Sequence, residues 1–366
     1  MEILVSNFYV TITLGDVTMQ RRKRKTKKKN RGLIILGLLF VLAIVIGVYF
    51  FVFQKEAPLK DVAEKITKPK KTLKILDLNS DERPYAVMID NNVGYTAHAG
   101  LQDAYLTYEI IVEGGLTRMM AIFKDQDTEL IGPVRSARHY FLDYALENDA
   151  VYGHYGWSEF AKNDIDLLGV DNLNGITNAQ SAYWRDRSVA APHNVFTSID
   201  NLKEAAKNRG YRTTSDDFEN FDYSVDPISL DQKEGAMVAN NISIRYSYYH
   251  TTGYTYDANR GVYLRSMDNQ AHVDKVTHEQ YYTKNIIIQK MSNHSIDSYG
   301  RQDIDDVSSG DGYYITNGYA VPIKWEKNGR SAKTSYTYLD GSKVKLNDGN
   351  TYVQIQPTDE TLTITE

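Results

Sequence analysis

Residues 131–156 read "IGPVRSARHYFLDYALENDAVYGHYG", and the reading of this stretch decides the fold class. Gly132–Pro133 marks a turn. Beyond it Tyr140, Phe141, Tyr144 and Ala145 recur at helical spacing, which predicts a helix from about 136 to 148. "AVYGHYG" then reads as a strand, so a turn, a helix and a strand follow one another closely. The stretch also carries an electrostatic oddity. Arg135 and Arg138 bracket Ser136 at the mouth of the expected helix, where the backbone dipole favours anions and disfavours cations by a few tenths of a kcal/mol each. A bound anion would account for both.

Working outward, "YAVMID" (85–90), "AYLTYEIIVEGG" (104–115), "LTRMMAIFKD" (116–125) and the short "TELIG" (128–132) read as strands. "SEFAKNDIDLLG" (158–169) and "SIDNLKEAAKNR" (198–209) read as helices with serine starts and glycine stops. Residues 80–223 are therefore expected to form an α/β domain with a mixed sheet. From about 240 the helical signal disappears. Short tyrosine-rich strands alternate with Asn-Arg-Gly, Asn-Gly and Asp-Gly turns, so 237–366 reads as a smaller β-rich domain behind a linker at 224–236. Tyrosine, at 28 residues, is more than twice as common as phenylalanine. Its strand propensity explains most of that excess, and stacking on sugars is the alternative. Trp325 reads equally as core or as a platform.

The N-terminal region sets the compartment. Residues 32–53, "GLIILGLLFVLAIVIGVYFFVF", are long and apolar enough for one transmembrane helix. Nine of the eleven residues 21–31 are basic, which places 1–31 as a cytoplasmic tail and everything after Phe53 outside the cell. No small-residue cleavage site follows, so the helix reads as an uncleaved anchor, with 54–79 as a charged spacer. The first 18 residues sit oddly before the basic run, and Met19 is an alternative start. The tail carries a net charge of +7 and suits anionic lipids, while the remainder carries −12. An acidic ectodomain argues against nucleic acid as its partner. The sequence has no cysteine, which excludes disulfides, thiolate nucleophiles and thiolate metal sites.

Unusual polar residues gather at the ends of the expected elements of the α/β domain. Asp90 closes the first strand, Glu109 and Glu113 lie four apart on the second, and Arg118 opens the third. Arg135, Ser136 and Arg138 follow the fourth, and "YWRDRSVAAPHN" (183–194) brings Arg185, Arg187, His193 and Asn194. Arginine forks recognise carboxylate or phosphate in two-point fashion, and α/β sheets bind ligands at the carboxyl ends of their strands. These arginines therefore define a candidate anion-binding cleft, with Asp90 and Glu113 at its margin. The plainer reading is that Glu109 and Glu113 only neutralise two of the arginines. His154 and His193, each a lone histidine without a visible partner, read more readily as structural than as functional. Acidic runs at 164–172 and 303–312 match no calcium loop and read as solvated turns, so no metal or cofactor is expected. No motif of a hydrolase, kinase or metalloprotease is present, and no catalytic residue is assigned.

"RPYAVMIDNN", "YEIIVEGGLTRMMAIF", "IGPVRSARHYFLDYALENDAVYGHYG" and "APHNVFTS" together resemble the YerB-like family of Gram-positive envelope proteins. The resemblance covers about residues 80–357. It implies an α/β domain followed by a smaller β-rich one, an envelope location, and no assigned reaction. Many relatives are held by a lipid-modified cysteine, which this sequence lacks. "TRMMAIFKDQDTELIGPVRSAR" also resembles part of the LytR–CpsA–Psr phosphotransferases, by analogy only. That likeness would turn Arg118, Arg135 and Arg138 toward a pyrophosphate and Asp90 toward a metal ion. The sequence thus supports an anchored ectodomain that binds an anionic cell-wall component or an envelope protein. A metal-assisted wall phosphotransferase or hydrolase, and a purely structural scaffold, are the alternatives.

Overall fold

A computed structural model describes residues 72–366, apart from 93, 95 and 218–220. The expected tail, membrane helix and most of the spacer lie outside those residues. Among the described residues no helix is long and apolar enough to cross a membrane.

The N-terminal half is built from β1 (Tyr85–Asp90), β2 (Leu106–Ile111), β3 (Thr117–Phe123), α1 (His139–Glu147), β4 (Val151–His154), α2 (Glu159–Leu168), β5 (Asn172–Asn174), the hairpin β6 (Tyr183–Arg185) and β7 (Val195–Thr197), and α3 (Ile199–Asn208). Strands β1, β2 and β3 are buried along their whole length, which is why they read as continuous apolar runs rather than alternating ones. Ser158 and Ser198 cap α2 and α3 by accepting from the backbone N–H groups of Ala161 and Asn201.

The C-terminal half supplies β8 (Asn241–Arg245), β9 (Thr251–Asp257), β10 (Val262–Met267), β11 (Asn285–Met291), β12 (Ser309–Thr316), β13 (Tyr319–Glu326), β14 (Ser335–Tyr338), β15 (Thr351–Pro357) and β16 (Leu362–Thr365), with a few two- and three-residue strands between them. Asn317 and Gly318, both at positive φ, make the tight turn between β12 and β13 that the Asn-Gly pair predicts.

One long sheet runs through both halves in the order β14-β13-β12-β11-β15-β2-β3-β1-β4-β5. Its seam is β15, which lies parallel to β11 on one side and to β2 on the other. Strands β16, β8, β9 and β10 form a second sheet in that order. Residues 224–236 are packed on the C-terminal half: Leu230 is buried, and the Ile228 N–H donates to Asn347 Oδ1 at 2.7 Å. Trp325 is core. Its ring lies against Gly310, and its indole N–H points at the Lys290 carbonyl, 3.3 Å away.

Two expectations fail locally. "TELIG" forms no strand, and its neighbourhood makes only isolated bridges such as Ile131 to Thr197. Gly132 adopts φ +151 there, and a Cβ on it would meet the Phe196 ring at 2.8 Å and the Val195 carbonyl at 2.9 Å. The helix expected from 136 starts at His139 instead, with Arg138 extended at the cap position. The reason is that residues 134–137 bond to strands: Arg135 N–H donates to the Met88 carbonyl at 2.9 Å, and the Tyr155 N–H to the Arg135 carbonyl at 3.0 Å.

Candidate functional site

Strands β1 and β4 run parallel only as far as Val87 and Gly153. Beyond that point the extended segment Val134–Ala137 is wedged between them, bridging to Ile89 and to Trp157. The wedge carries Arg135 and Ser136 to the carboxyl ends of two parallel strands. The antiparallel register of β1 and β3 sets Asp90 directly opposite Arg118 at the same edge. Arg138 follows at the α1 cap, and Glu113 sits in the turn between β2 and β3.

Five charged residues meet here. Arg138 grips Glu113 with a two-point fork, Nε to Oε1 at 2.6 Å and Nη2 to Oε2 at 2.8 Å. Arg135 Nε lies 3.1 Å from Asp90 Oδ2. His193 Nδ1 reaches the same oxygen at 2.6 Å, and the Asn92 N–H donates to Oδ1 at 3.0 Å. Arg118 donates to the Ser136 carbonyl and, among the described residues, has no carboxylate in ion-pair contact. Burial, followed by the positive charge of Arg138, pulls the Arg118 guanidinium down to about 10, while Glu113 and Asp90 pull it back. Ser136 is held too, its hydroxyl donating to the Tyr155 carbonyl at 3.0 Å.

Arg185, Arg187 and Asn194 are placed elsewhere. Arg185 Nη1 donates to Asn194 Oδ1 at 2.7 Å, and its guanidinium lies 5.2 Å from the centre of the Tyr155 ring. Arg187 is exposed on the loop between β6 and β7. Only His193 reaches from that loop into the cluster. A separate cleft of ≈ 300 Å³ contains none of these arginines, and its charged lining (Asp103, Glu129, Asp274, Glu279) is acidic.

Glu109 takes no part in this cluster. It points the opposite way from the expected role, into a sealed network with the C-terminal half. Its carboxylate accepts from Arg265 Nη2 (2.9 Å), His250 Nε2 (2.9 Å), Asn91 Nδ2 (3.0 Å), and the Thr117 and Thr252 hydroxyls (2.9 Å each). Both Glu109 and Arg265 side chains are 0% exposed. Burial favours the protonated acid, yet the Arg265 charge and the His250 hydrogen bond outweigh it and hold Glu109 well below the ordinary carboxylate range. Burial likewise opposes a charged His250, but hydrogen bonds to Asp268 and Glu109 push it up to about 9.

From Arg265 a directed chain runs to the Asp90 cluster. Arg265 can only donate, so His272 Nδ1 accepts and carries its own proton on Nε2. That nitrogen donates to His98 Nδ1 at 2.8 Å, and His98 Nε2–H then donates to the Asp90 carbonyl at 2.6 Å. Both rings must be neutral for this pattern. Burial lowers His98 to about 4 and, with Arg265 beside it, His272 well below its ordinary value.

Sequence reasoning missed Arg265, His250, His272 and His98. One signal for Arg265 exists: in β10 it shares the inward phase of Tyr263 and Met267. Most of the other acids that the sequence singled out, and His154, meet partners within the fold. His154 is buried between the Gly156 carbonyl (2.8 Å) and Asn172 Oδ1 (3.1 Å). Asp164 and Asp143 both bind Arg330, and Asp171 binds Arg83. Asp303 meets His139 at 3.0 Å. Burial and the Asp143 charge push Asp306 up to about 8, and the Lys327 charge opposes the rise.

Comparison with known proteins agrees with this architecture. Residues 73–212 match the N-terminal domain, and residues 242–353 the C-terminal domain, of a protein family of unknown function, DUF3048. The Bacillus subtilis (strain 168) protein named "Putative lipoprotein YerB" is 33% identical over 311 residues, 83% of this chain and 90% of that protein. The crystal structure of YerB from Bacillus subtilis superimposes with a TM-score of 0.69 at 30% identity, covering 78% of this chain and 94% of that one.

Proposed function

The chain belongs to the YerB-like family of DUF3048 domains, whose function is unknown, and from its own residues we propose that it is a membrane-anchored envelope protein that binds an anionic ligand at the Asp90 cluster. One observation carries the reading: three arginines face two carboxylates at the carboxyl edge of a parallel strand pair, and Arg118 is the surplus cation. A surplus charge that is largely withdrawn from water costs several kcal/mol unless something offsets it. A cluster built only for stability would balance, as the Glu109 network does, with Arg265 and charged His250 set against Glu109 and Asp268. An anion restores the balance here, and the guanidinium forks suit phosphate or carboxylate.

The envelope location rests on the basic run 21–31 before the apolar run 32–53, and on the lipoprotein name carried by the Bacillus relative. With no cysteine to acylate, anchoring in this chain falls to the apolar segment.

The test is calorimetric titration of the full-length protein in detergent with glycerol phosphate, inorganic phosphate and acetate at two salt concentrations. The expected result is binding that weakens as salt rises and is lost in Arg118→Gln and Arg135→Gln. Absence of binding to all three anions, or binding unchanged in both variants, overturns the reading.

A further inference from the structure

The Asp90 cluster holds an oriented acid–base pair as well as a surplus cation. His193 Nδ1 faces Asp90 Oδ2 at 2.6 Å, so a neutral ring places its proton on that nitrogen and leaves the Nε2 lone pair outward. No described residue takes Nε2, and the His193 side chain is 27% exposed where Asp90 is 2% exposed. The base therefore looks to solvent from a buried orienting carboxylate.

Asp90 itself is immobilised from several sides. Asn92 N–H holds Oδ1, the Arg135 charge lies beside Oδ2 without a hydrogen bond from its Nε, and His98 holds the backbone carbonyl. His98 is in turn fixed by His272 and Arg265, two residues of the C-terminal half. Such layered support is what a site needs to keep a reacting group in place, and a surface ion pair has no use for it.

We infer that His193 is the general base of a phosphodiester hydrolase whose substrate is held by Arg118, Arg135 and Arg138. This rests on the anion-binding reading above. Charge agrees with this class: three arginines less two carboxylates leave one positive charge, which matches the single negative charge of a diester. A carboxylate also carries one charge but offers no bond to hydrolyse.

In the step, a water oxygen attacks phosphorus as His193 Nε2 takes its proton, and the imidazolium formed is stabilised by Asp90. The bond from phosphorus to the ester oxygen breaks, and the His193 proton passes to that leaving oxygen. The products are an alcohol and a phosphomonoester, with no oxidant, reductant or metal required. The arginines stabilise the charge that grows on the phosphoryl oxygens. Asp90 and His98 are positioning residues.

The experiment uses the full-length protein in detergent with bis(p-nitrophenyl) phosphate and EDTA present. Nitrophenolate release is expected, falling about 100-fold or more in His193→Ala and partly restored by added imidazole. Asp90→Asn should lower the rate and displace its pH profile. Diethyl phosphate, a stable diester, should bind His193→Ala as it binds the parent but fail to bind Arg135→Gln. If diethyl phosphate binds in an arginine-dependent way while turnover equals that of His193→Ala, the hydrolase fails and the binding site stands. If the diester does not bind at all, the anion reading fails with it. Turnover abolished by EDTA overturns His193 as the base.

Discussion

The molecule makes the same three-part arrangement twice. Glu109 is held by Arg265 and His250, each at 2.9 Å. Asp90 is held by Arg135 at 3.1 Å and His193 at 2.6 Å. The chemistry is matched, but the surroundings are not. Glu109 is sealed under the second sheet, and hydroxyl and amide donors complete its coordination. Asp90 lies at a strand edge, its arginine and histidine partly open to water and two further arginines nearby. A carboxylate–arginine–histidine set is therefore a fastener where it is enclosed, and a candidate binding site where one side is left open and the charges do not cancel.

Breaking the fastener should have the largest effect. Arg265→Ala leaves Glu109 buried without its cation, and the expected loss is about 3–5 kcal/mol in denaturant unfolding, or failure to accumulate folded protein. Glu109→Gln combined with Arg265→Met should recover part of that loss, because neither partner is then left charged and alone. A cost for Arg265→Ala no greater than for Arg135→Ala would erase the distinction between the two regions.

At the open site the balance reverses. Arg135→Ala should change unfolding free energy by no more than about 1 kcal/mol, since its side chain is 24% exposed and Asp90 keeps His193 and Asn92. Anion affinity should instead fall at least tenfold, read by titration calorimetry.

Proton linkage separates the regions again. His250 is raised to about 9 in the folded state, so its stabilisation is complete below about 6.5 and fades as pH climbs through 9. Asp306, raised to about 8, acts in the same direction between about 4 and 8. Buried neutral His98 and His154, both lowered to about 4, act oppositely: the unfolded chain takes up their protons first, so stability falls as pH drops from about 6.5 toward 4. Unfolding free energy against pH should therefore peak near neutrality, and His250→Gln should flatten the alkaline limb alone. An unchanged alkaline limb in that variant would mean that His250 is not charged in the fold.

The smallest effect belongs to Arg187. It is exposed and outside the cluster, so Arg187→Ala should shift stability by less than about 0.5 kcal/mol and leave anion binding intact. A loss of binding would return the β6–β7 loop to the site.

Much of the architecture was legible. Apolar runs marked β1, β2 and β3, serine and glycine bounded α2 and α3, and Asn-Gly placed the β12–β13 turn. Each of these is a local preference, written within a few residues of the element it makes. The α1 start and "TELIG" were misread for a related reason. Residues 134–137 spend their backbone hydrogen bonds on strands distant in sequence, and local propensity does not record that. The site was half legible: arginines, Asp90, Glu113 and His193 could be named, but not sorted.

The sequence by itself determined most of the elements, the absence of cysteine chemistry and the inventory of charges. Only the tertiary structure decided which charge meets which. Glu109 and Arg265 lie 156 residues apart and are joined across the two halves of the chain. Asp90 faces Arg118 because β1 and β3 are in one register rather than another. Ion pairing is decided within a few ångströms, and strand register and sheet stacking fix distances on that scale. No local pattern in the chain specifies them.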